Sequence, residues 1–186
     1  MKQVKYDLVL IGATGFTGKL VAEYLAQEYG VNNENFVWAI AGRSQNKLNE
    51  LKNHLRGIDP EAKDLPVVLA DNHDRISLDS ITSVTRVIIS TVGPYLKYGK
   101  KLVESCAFNG TDYCDLTGEV PFIRESIDSY NEKAKENNCR IIHSCGFDSI
   151  PSDIGVLMLQ TKAIKRYGKP FDSIRLYARS MKGGLS

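Results

Sequence analysis

The chain has 186 residues, of which 42% are hydrophobic and 25% are charged, and its formal net charge at pH 7 is +2. These proportions are typical of an ordinary globular protein with one full domain, or with one domain and a piece of another. The small net charge gives no indication of nucleic-acid binding, and the apolar runs are far shorter than the roughly 18 residues of a membrane-spanning helix. Because residues 1–7 also lack the features of a signal peptide, we expect a cytoplasmic protein.

The first predicted elements are a strand and a helix joined by a glycine-rich turn, within residues 6–25. Residues 8–11 form a short apolar run with the composition of a buried parallel strand. After the turn, apolar residues recur at the spacing of one helix face, at Leu20, Val21, Tyr24 and Leu25. A strand, a glycine turn and a helix in this order predict a dinucleotide-binding unit.

Each of the three glycines in this turn meets a different geometric requirement. Gly12 lets the chain turn off the strand, Gly15 leaves room for a pyrophosphate at the backbone, and Gly18 lets the helix pack close to the strand. The first N–H groups of the helix would bind the phosphates. The spacing G-x-x-G-x-x-G differs by one residue from the common G-x-G-x-x-G, and tight packing alone is the alternative explanation. The predicted cofactor contacts of this unit are Gly12, Thr14, Gly15, Phe16, Thr17 and Gly18.

The end of the second predicted strand, residues 36–41, indicates which nicotinamide cofactor is bound. An acidic residue there would accept hydrogen bonds from the adenosine ribose, whereas an arginine accommodates a 2′-phosphate. The sequence has Arg43 at this place, followed by Ser44 and Lys47. Because a guanidinium pairs well with a phosphate, we expect NADP (NADPH) rather than NAD. The alternatives are a solvated surface charge for Arg43, a helix cap for Ser44 and an exposed helix position for Lys47.

Two further strand ends add candidates for cofactor binding. Residues 67–70 are predicted to be a strand, and Asp71 after it either approaches the adenine or caps a turn. Residues 86–91 are predicted to be the next strand, and the glycine–proline break after it lies where doubly wound sheets hold ligands. Tyr95 follows either with a role at the cofactor, as a proton donor or as a ring that packs on it, or as an aromatic residue that anchors the next helix. The predicted contacts at this break are Thr91, Val92, Gly93 and Pro94.

Strands and helices alternate through the remainder of the first 145 residues, as a doubly wound parallel sheet requires. Two more strands are predicted at residues 112–116 and 140–143. Helices are predicted at residues 76–84, 98–107 and 121–136, and a polar loop at residues 57–66.

The pattern changes at residues 144–153, which are rich in turn-forming residues. A helix is predicted to start at Pro151 and Ser152, and residues 171–178 alternate like a strand. We therefore expect an α/β protein with a Rossmann domain at residues 1–145. Residues 146–186 would be a connecting helix and the start of a second, truncated α+β domain.

Four cysteines occur in the sequence, and they form no C-x-x-C pair and no histidine cluster accompanies them. This pattern predicts reduced thiols, partly in the core, and no metal site. The four are Cys106, Cys114, Cys139 and Cys145.

Five motifs give the chain, over nearly its whole length, a resemblance to the saccharopine dehydrogenase-like oxidoreductases, a group that includes the trans-acting enoyl reductases. They are GATGFTG, AGRS, STVGPY, YCDLTGE and CGFDSIPSD. The resemblance implies a nicotinamide-dependent oxidoreductase of about twice this length, in which a Rossmann domain precedes an α+β substrate domain. It also implies a small-molecule substrate, with a homodimer formed through the further domain as one arrangement. Arg43 implies NADP within this family.

The cofactor carries out hydride transfer, while the protein positions it and supplies a proton. The predicted proton donors are Tyr95, Asp115, His143 and Asp148, with Glu119 and Cys145 as further candidates, all at or just past strand ends. Caps, turns and buried hydrogen-bonded side chains are the alternative roles for these residues. No Tyr is followed four residues later by Lys, which argues against a short-chain reductase.

Two functions follow from these observations. The first is an NADP-dependent oxidoreductase that transfers hydride to or from an imine, amino-acid, enoyl or lipid substrate. On this reading the 186 residues bind the cofactor and only a longer chain turns over. The second is a non-catalytic NADP-binding sensor or scaffold.

Overall fold

One sheet of six parallel strands is built from residues 3–177, the part of the chain that this computed structural model describes. The strands are β1 (Tyr6–Ile11), β2 (Trp38–Gly42), β3 (Val67–Leu69), β4 (Thr85–Ser90), β5 (Asp112–Asp115) and β6 (Ile141–Ile142). Their order in the sheet is β3-β2-β1-β4-β5-β6, and every neighbouring pair is parallel. This is the strand order of the dinucleotide-binding fold, so the predicted doubly wound sheet is confirmed.

Helices connect the strands, as parallel pairing requires. The connecting helices are α1 (Phe16–Tyr29), α2 (Gln45–Leu55), α3 (Arg75–Thr82), α4 (Tyr95–Tyr98), α5 (Lys100–Asn109) and α6 (Val120–Glu136), and a further helix, α7 (Ile150–Tyr167), follows β6. No helix within residues 3–177 is both long enough and apolar enough to cross a lipid bilayer.

Strand β1 is buried on both faces, as its unbroken apolar run predicts. Val9 and Ile11 pack into one hydrophobic cluster together with Ile88 of β4. Leu8 and Leu10 point to the other face and pack into a second cluster. Because alternate residues of a strand face opposite sides, one apolar run supplies both cores.

The buried face of α1 differs from the sequence-based expectation. Leu20 and Tyr24 were assigned to the core side, but their exposed fractions are 52% and 58%. The buried residues of this helix are Gly18, Ala22, Leu25 and Ala26. The helix packs through small residues because it lies very close to the glycine turn, and bulky side chains at those positions would hold it away from the sheet.

The carboxyl ends of the three central strands lie level at one edge of the sheet. Ile11, the last residue of β1, pairs in register with Ala41 of β2 and with Ser90 of β4. The chain continues from β1 towards β2 and β3 on one side, whereas β4, β5 and β6 lie on the other. Connections that leave such a point in opposite directions leave a crevice between them. The glycine turn after β1 and the loop after β4 therefore open into the same crevice.

Several element boundaries differ from those predicted. Residues 98–107 are not one helix, because α4 and α5 meet at Gly99 and the helical segment starts at Tyr95. The predicted loop at residues 57–66 contains a short 3-10 helix, Pro60–Asp64, because Asp59 caps it by accepting a hydrogen bond from the Glu61 N–H. The start of the 3-10 helix depends on this cap, which the apolar periodicity does not show.

The chain divides into two compact units, residues 1–145 and 146–186. The described part of the second unit contains α7, which ends at Gly168 in the left-handed conformation. The strand predicted at residues 171–178 is wrong for residues 171–177, which form no strand, and Ala178 lies outside the described residues. Alternation of apolar residues is not sufficient for a strand, because a strand needs a hydrogen-bonded neighbour. The assignment of this unit to a substrate domain stays a prediction.

Candidate functional site

The glycine turn has three different geometries at its three glycines. Gly12 has a φ of +86°, and a Cβ there would lie 2.6 Å from Cγ2 of Val92. A Cβ on Gly18 would lie 2.1 Å from the carbonyl oxygen of Gly12, so only glycine lets α1 pack at this distance. A Cβ on Gly15 would meet only the Gly12 oxygen, at 3.3 Å. Gly12 and Gly18 are thus required by the fold, whereas the space at Gly15 is open to a ligand.

Helix α1 begins at this turn without a side-chain cap. Gly15 is its N-cap residue, and the first turn carries no acidic side chain. By contrast, Ser44 caps α2 and Asp74 caps α3 through their side-chain oxygens. An uncapped helix start leaves N–H donors and the positive end of the helix dipole for an anion. The turn therefore suits the pyrophosphate of a dinucleotide.

A cleft of about 290 Å³ lies at this edge of the sheet, where β1, β2, β3 and β4 end. Eight of the predicted cofactor contacts line it: Gly12, Thr14, Gly15, Arg43, Asp71, Thr91, Val92 and Gly93. The other predicted contacts do not line it: Phe16, Thr17, Gly18, Ser44, Lys47 and Pro94. Phe16 points outwards, with an exposed fraction of 84%. For the first turn of α1, only the backbone N–H groups remain available to a ligand in the cleft.

The tip of β2 places a free cation at the cleft. Arg43 is exposed, and no carboxylate within residues 3–177 forms an ion pair with it. Ser44 Oγ accepts a weak hydrogen bond from the Lys47 N–H at 3.4 Å, which is a helix cap. Lys47 itself lines a neighbouring cavity of about 410 Å³, together with Lys19 and Thr14. The geometry therefore favours the cap role for Ser44 and keeps Arg43 as the candidate for a 2′-phosphate.

The loop after β3 forms the opposite wall, and sequence reasoning found only part of it. Asp71 Oδ1 accepts a hydrogen bond from the His73 N–H at 2.9 Å, so Asp71 both lines the cleft and caps a turn. Asn72 Nδ2 donates to the Tyr98 carbonyl oxygen at 3.0 Å, and the His73 and Tyr98 rings meet edge to face at 5.3 Å. Asn72, His73 and Tyr98 were missed because tertiary packing alone brings α4 against this loop.

Tyr95 lies under the floor of the cleft rather than in it. The side chain is buried, and its hydroxyl donates to the carbonyl oxygen of Ser90 at 3.0 Å. Burial raises the pKa of the Tyr95 hydroxyl well above its usual value, and the nearby Asp115 carboxylate adds to this. A hydroxyl with a raised pKa and an occupied hydrogen bond is a poor proton donor. The placement favours the second reading, an aromatic residue that anchors the following helix.

Asp115 and His143 are brought together at the ends of β5 and β6. Asp115 is buried, with an exposed fraction of 2%. Its Oδ2 lies 2.7 Å from His143 Nδ1 and also accepts a hydrogen bond from the Tyr113 hydroxyl. His143 Nε2 lies 2.9 Å from Ser126 Oγ. Desolvation and the Asp115 charge raise the pKa of the Tyr113 hydroxyl, so it stays protonated and donates. This is a closed, buried network in which both nitrogens of the imidazole have partners.

Glu119 and Cys145 also do not line the cleft. Both carboxylate oxygens of Glu119 accept backbone N–H groups, from Tyr95 and Leu96. Asp148 is exposed in the second unit, and Cys145 is an exposed free thiol. Burial raises the pKa of Cys145, as does the Asp115 charge, which disfavours a reactive thiolate. No cluster of three His, Cys, Asp or Glu side chains that could hold a metal occurs among residues 3–177.

A family model, saccharopine dehydrogenase NADP binding domain, matches residues 8–142. The chain belongs to this family. As a saccharopine dehydrogenase NADP-binding domain it binds NADP(H), which confirms the cofactor predicted from Arg43 and the family resemblance seen in the motifs. The cleft fits this cofactor, because it combines an uncapped helix start, an open Gly15 and an unpaired arginine.

Curated relatives agree with this membership. Trans-acting enoyl reductase from Mycobacterium tuberculosis (strain ATCC 25618 / H37Rv) is 45% identical over 161 residues, which are 87% of this chain and 37% of that protein. The trans-acting enoyl reductase from Mycobacterium leprae is 44% identical over 161 residues, which are again 87% of this chain and 37% of that protein. The chain thus spans little more than a third of the length of these relatives.

The fold is shared with apo saccharopine dehydrogenase (L-Glu forming) from Saccharomyces cerevisiae. The TM-score is 0.63 at 20% sequence identity, over 87% of this chain and 32% of that one. A likeness at this level of identity shows the fold alone.

Proposed function

We propose that the protein supplies the NADPH-binding half of an oxidoreductase that reduces an enoyl group. The observation that carries this proposal is the cleft in which the uncapped start of α1, the open Gly15 and the unpaired Arg43 meet. Relatives that are 44% and 45% identical are named trans-acting enoyl reductases, which favours an enoyl substrate over an imine or an amino acid. A lipid-like enoyl chain is one member of that class.

The roles of the cleft residues follow from their positions. The N–H groups at the start of α1 would bind the pyrophosphate, and Arg43 would pair with the 2′-phosphate. The adenine would lie against the His73 and Tyr98 rings. The other end of the cofactor then extends to the β4 side, where Val92 and Gly93 form the wall. When bound, NADPH supplies the hydride, and reduction of a carbon–carbon double bond also consumes one proton.

A second candidate function is a non-catalytic NADP sensor or scaffold. One observation favours it: three of the four predicted proton donors, Tyr95, Asp115 and His143, are not among the residues that line the cleft. On the enoyl-reductase proposal the proton comes from elsewhere in a protein of the relatives' length, and these 186 residues bind NADPH without turnover.

A titration with reduced cofactors, followed by fluorescence, tests the binding roles. We expect saturable NADPH binding by the chain and much weaker NADH binding. Arg43→Ala should weaken NADPH by about 1–3 kcal/mol, the scale of a hydrogen bond to a charged group, and leave NADH nearly unchanged. Arg56→Ala is the matched control, because Arg56 is an exposed arginine at the other end of α2 and does not line the cleft. Equal losses for both cofactors with Arg43→Ala would refute the 2′-phosphate role.

Consumption of NADPH by a protein of the relatives' length tests the reaction. We expect oxidation of NADPH with an α,β-unsaturated acyl thioester and none with the saturated thioester or an imine. Binding of NADPH without oxidation by any enoyl, imine or carbonyl compound would favour the sensor or scaffold instead.

A further inference from the structure

The loop of residues 90–95 joins β4 to α4 and forms the nicotinamide-side wall of the cleft through Thr91, Val92 and Gly93. Its first half is fixed to the glycine turn. The Thr91 hydroxyl points at the carbonyl oxygens of Ile11 and Gly12, at 3.2 Å and 3.1 Å. The phosphate-binding turn and this wall are therefore joined directly.

The second half of the loop is closed by Tyr95. Its hydroxyl donates to the Ser90 carbonyl oxygen, so the Tyr95 side chain links the end of the loop to its beginning. The ring also packs against Phe122 of α6, with 5.8 Å between the ring centroids. A Cβ on Gly93 would lie 3.6 Å from Tyr95 Cε2, so the Tyr95 ring is the floor on which the loop rests.

Glu119 fixes the end of the loop from a different strand connection. Its Oε1 accepts the Tyr95 N–H at 2.6 Å, and its Oε2 accepts the Leu96 N–H at 2.9 Å. Glu119 directly precedes α6, but its side chain makes no cap hydrogen bond to that helix. The carboxylate reaches across to cap α4 instead, and a charged acceptor of two N–H groups is a strong anchor.

The buried Asp115 in turn fixes Glu119. The Glu119 N–H donates to Thr117 Oγ1 at 3.0 Å, and the Thr117 N–H donates to Asp115 Oδ1 at 3.0 Å. Hydrogen bonds thus run from a buried carboxylate, through the β5 connection, to the wall of the cleft. Because each member is held by the next, the wall of the cleft is anchored to a buried carboxylate.

We propose that Glu119 is a positioning residue for the nicotinamide half of the cofactor, holding the wall of residues 91–93 where that half binds. The inference rests on the proposed cofactor site, in which Arg43 takes the adenosine end and the β4 loop takes the other. Loss of the Glu119 carboxylate would free two N–H groups and let the loop leave its position. The adenosine end would be affected much less, because Arg43, Asp71 and His73 follow β2 and β3, and Tyr98, at the far end of α4, is also held by Asn72 through its carbonyl oxygen.

Binding of two probes to Glu119→Ala separates this role from a general structural one. Adenosine 2′,5′-bisphosphate carries only the adenine, the 2′-phosphate and one 5′-phosphate, whereas NADPH also carries the nicotinamide half. We expect Glu119→Ala to weaken NADPH about tenfold and to leave the bisphosphate within about twofold. The NADPH affinity of Glu119→Gln should lie between that of the unmodified chain and that of Glu119→Ala, because its amide oxygen keeps one acceptor. Glu132→Gln is the matched control, because Glu132 is an exposed glutamate on α6, the helix that Glu119 precedes.

The outcomes discriminate between the two proposals. Equal weakening of both probes by Glu119→Ala, or no weakening of either, would overturn the positioning role while the cofactor site stands. Failure of the unmodified chain to bind either probe would overturn the cofactor site and the positioning role together. If Glu119→Ala does not fold, Glu119→Gln decides, since a selective loss of NADPH supports the role and an equal loss overturns it.

Discussion

Replacing Gly15 by alanine should abolish tight cofactor binding and leave the fold intact. The added Cβ would meet only the Gly12 carbonyl oxygen, at 3.3 Å, which a shift of a few tenths of an ångström relieves. The backbone φ of Gly15 is −75°, a conformation that alanine adopts freely. Alanine is a poorer N-cap than glycine, so we expect a loss of about 1 kcal/mol or less in the free energy of unfolding.

The effect on binding is larger, because the methyl group occupies the place where the pyrophosphate approaches. A phosphate oxygen held beyond about 3.2 Å from the N–H groups loses its hydrogen bonds. Each such bond to a charged group contributes about 1.5–3 kcal/mol, so losing one weakens NADPH about ten- to hundredfold. Fluorescence titration with NADPH gives the affinity, and urea denaturation gives the stability.

Gly18→Ala is the matched comparison. Its Cβ would lie 2.1 Å from the Gly12 oxygen and 2.8 Å from the Ala13 Cα, so α1 must move away from the sheet. Overpacking of this kind costs about 1–3 kcal/mol of stability or more. If folded Gly15→Ala binds NADPH as tightly as the unmodified chain, the pyrophosphate does not bind at Gly15 and the reasoning is refuted.

Two further predictions concern stability. Desolvation raises the pKa of Asp79, but hydrogen bonds from Ser105 and Arg75 outweigh it and hold the folded pKa below the ordinary 3.8. A carboxyl group with a depressed pKa in the folded state contributes stability at neutral pH that is lost as the pH falls through the folded pKa. Asp79→Asn should therefore make the free energy of unfolding depend less steeply on pH below about pH 4. If the pH dependence of the free energy of unfolding in this range is unchanged in Asp79→Asn, the prediction is wrong. Asp115→Asn should destabilise the fold by about 1–3 kcal/mol, because the buried carboxylate is the common acceptor of the network that includes His143 and the amide leaves part of that network without an acceptor. Urea denaturation measures it, and a loss under about 1 kcal/mol would show that the network reorganises at little cost.

The sequence by itself determined the fold class and the cofactor. Continuous apolar runs of strand length, separated by helical periods, require a parallel sheet with helices on both faces. The glycine turn was readable because its requirements are local: a positive φ at Gly12 and a close approach at Gly18 depend on neighbours within the same strand-turn-helix unit. Arg43 could be proposed as the partner of the 2′-phosphate because the end of β2 has a known place relative to the adenosine ribose, and that role stays a prediction.

Only the tertiary structure decided which polar side chains are available. Tyr95, Asp115, Glu119 and His143 lie at or just past strand ends, as predicted, but each already has a partner: the Tyr95 hydroxyl donates to Ser90, Glu119 accepts the Tyr95 N–H, and Asp115 lies against His143. Residue type and spacing do not encode such pairings, because they arise when loops from neighbouring strands pack together. For the same reason, no local sequence pattern predicted that Tyr98 and His73 line the cleft. The chemical role of a side chain at a strand end therefore depends on the residues that the connections of neighbouring strands place beside it.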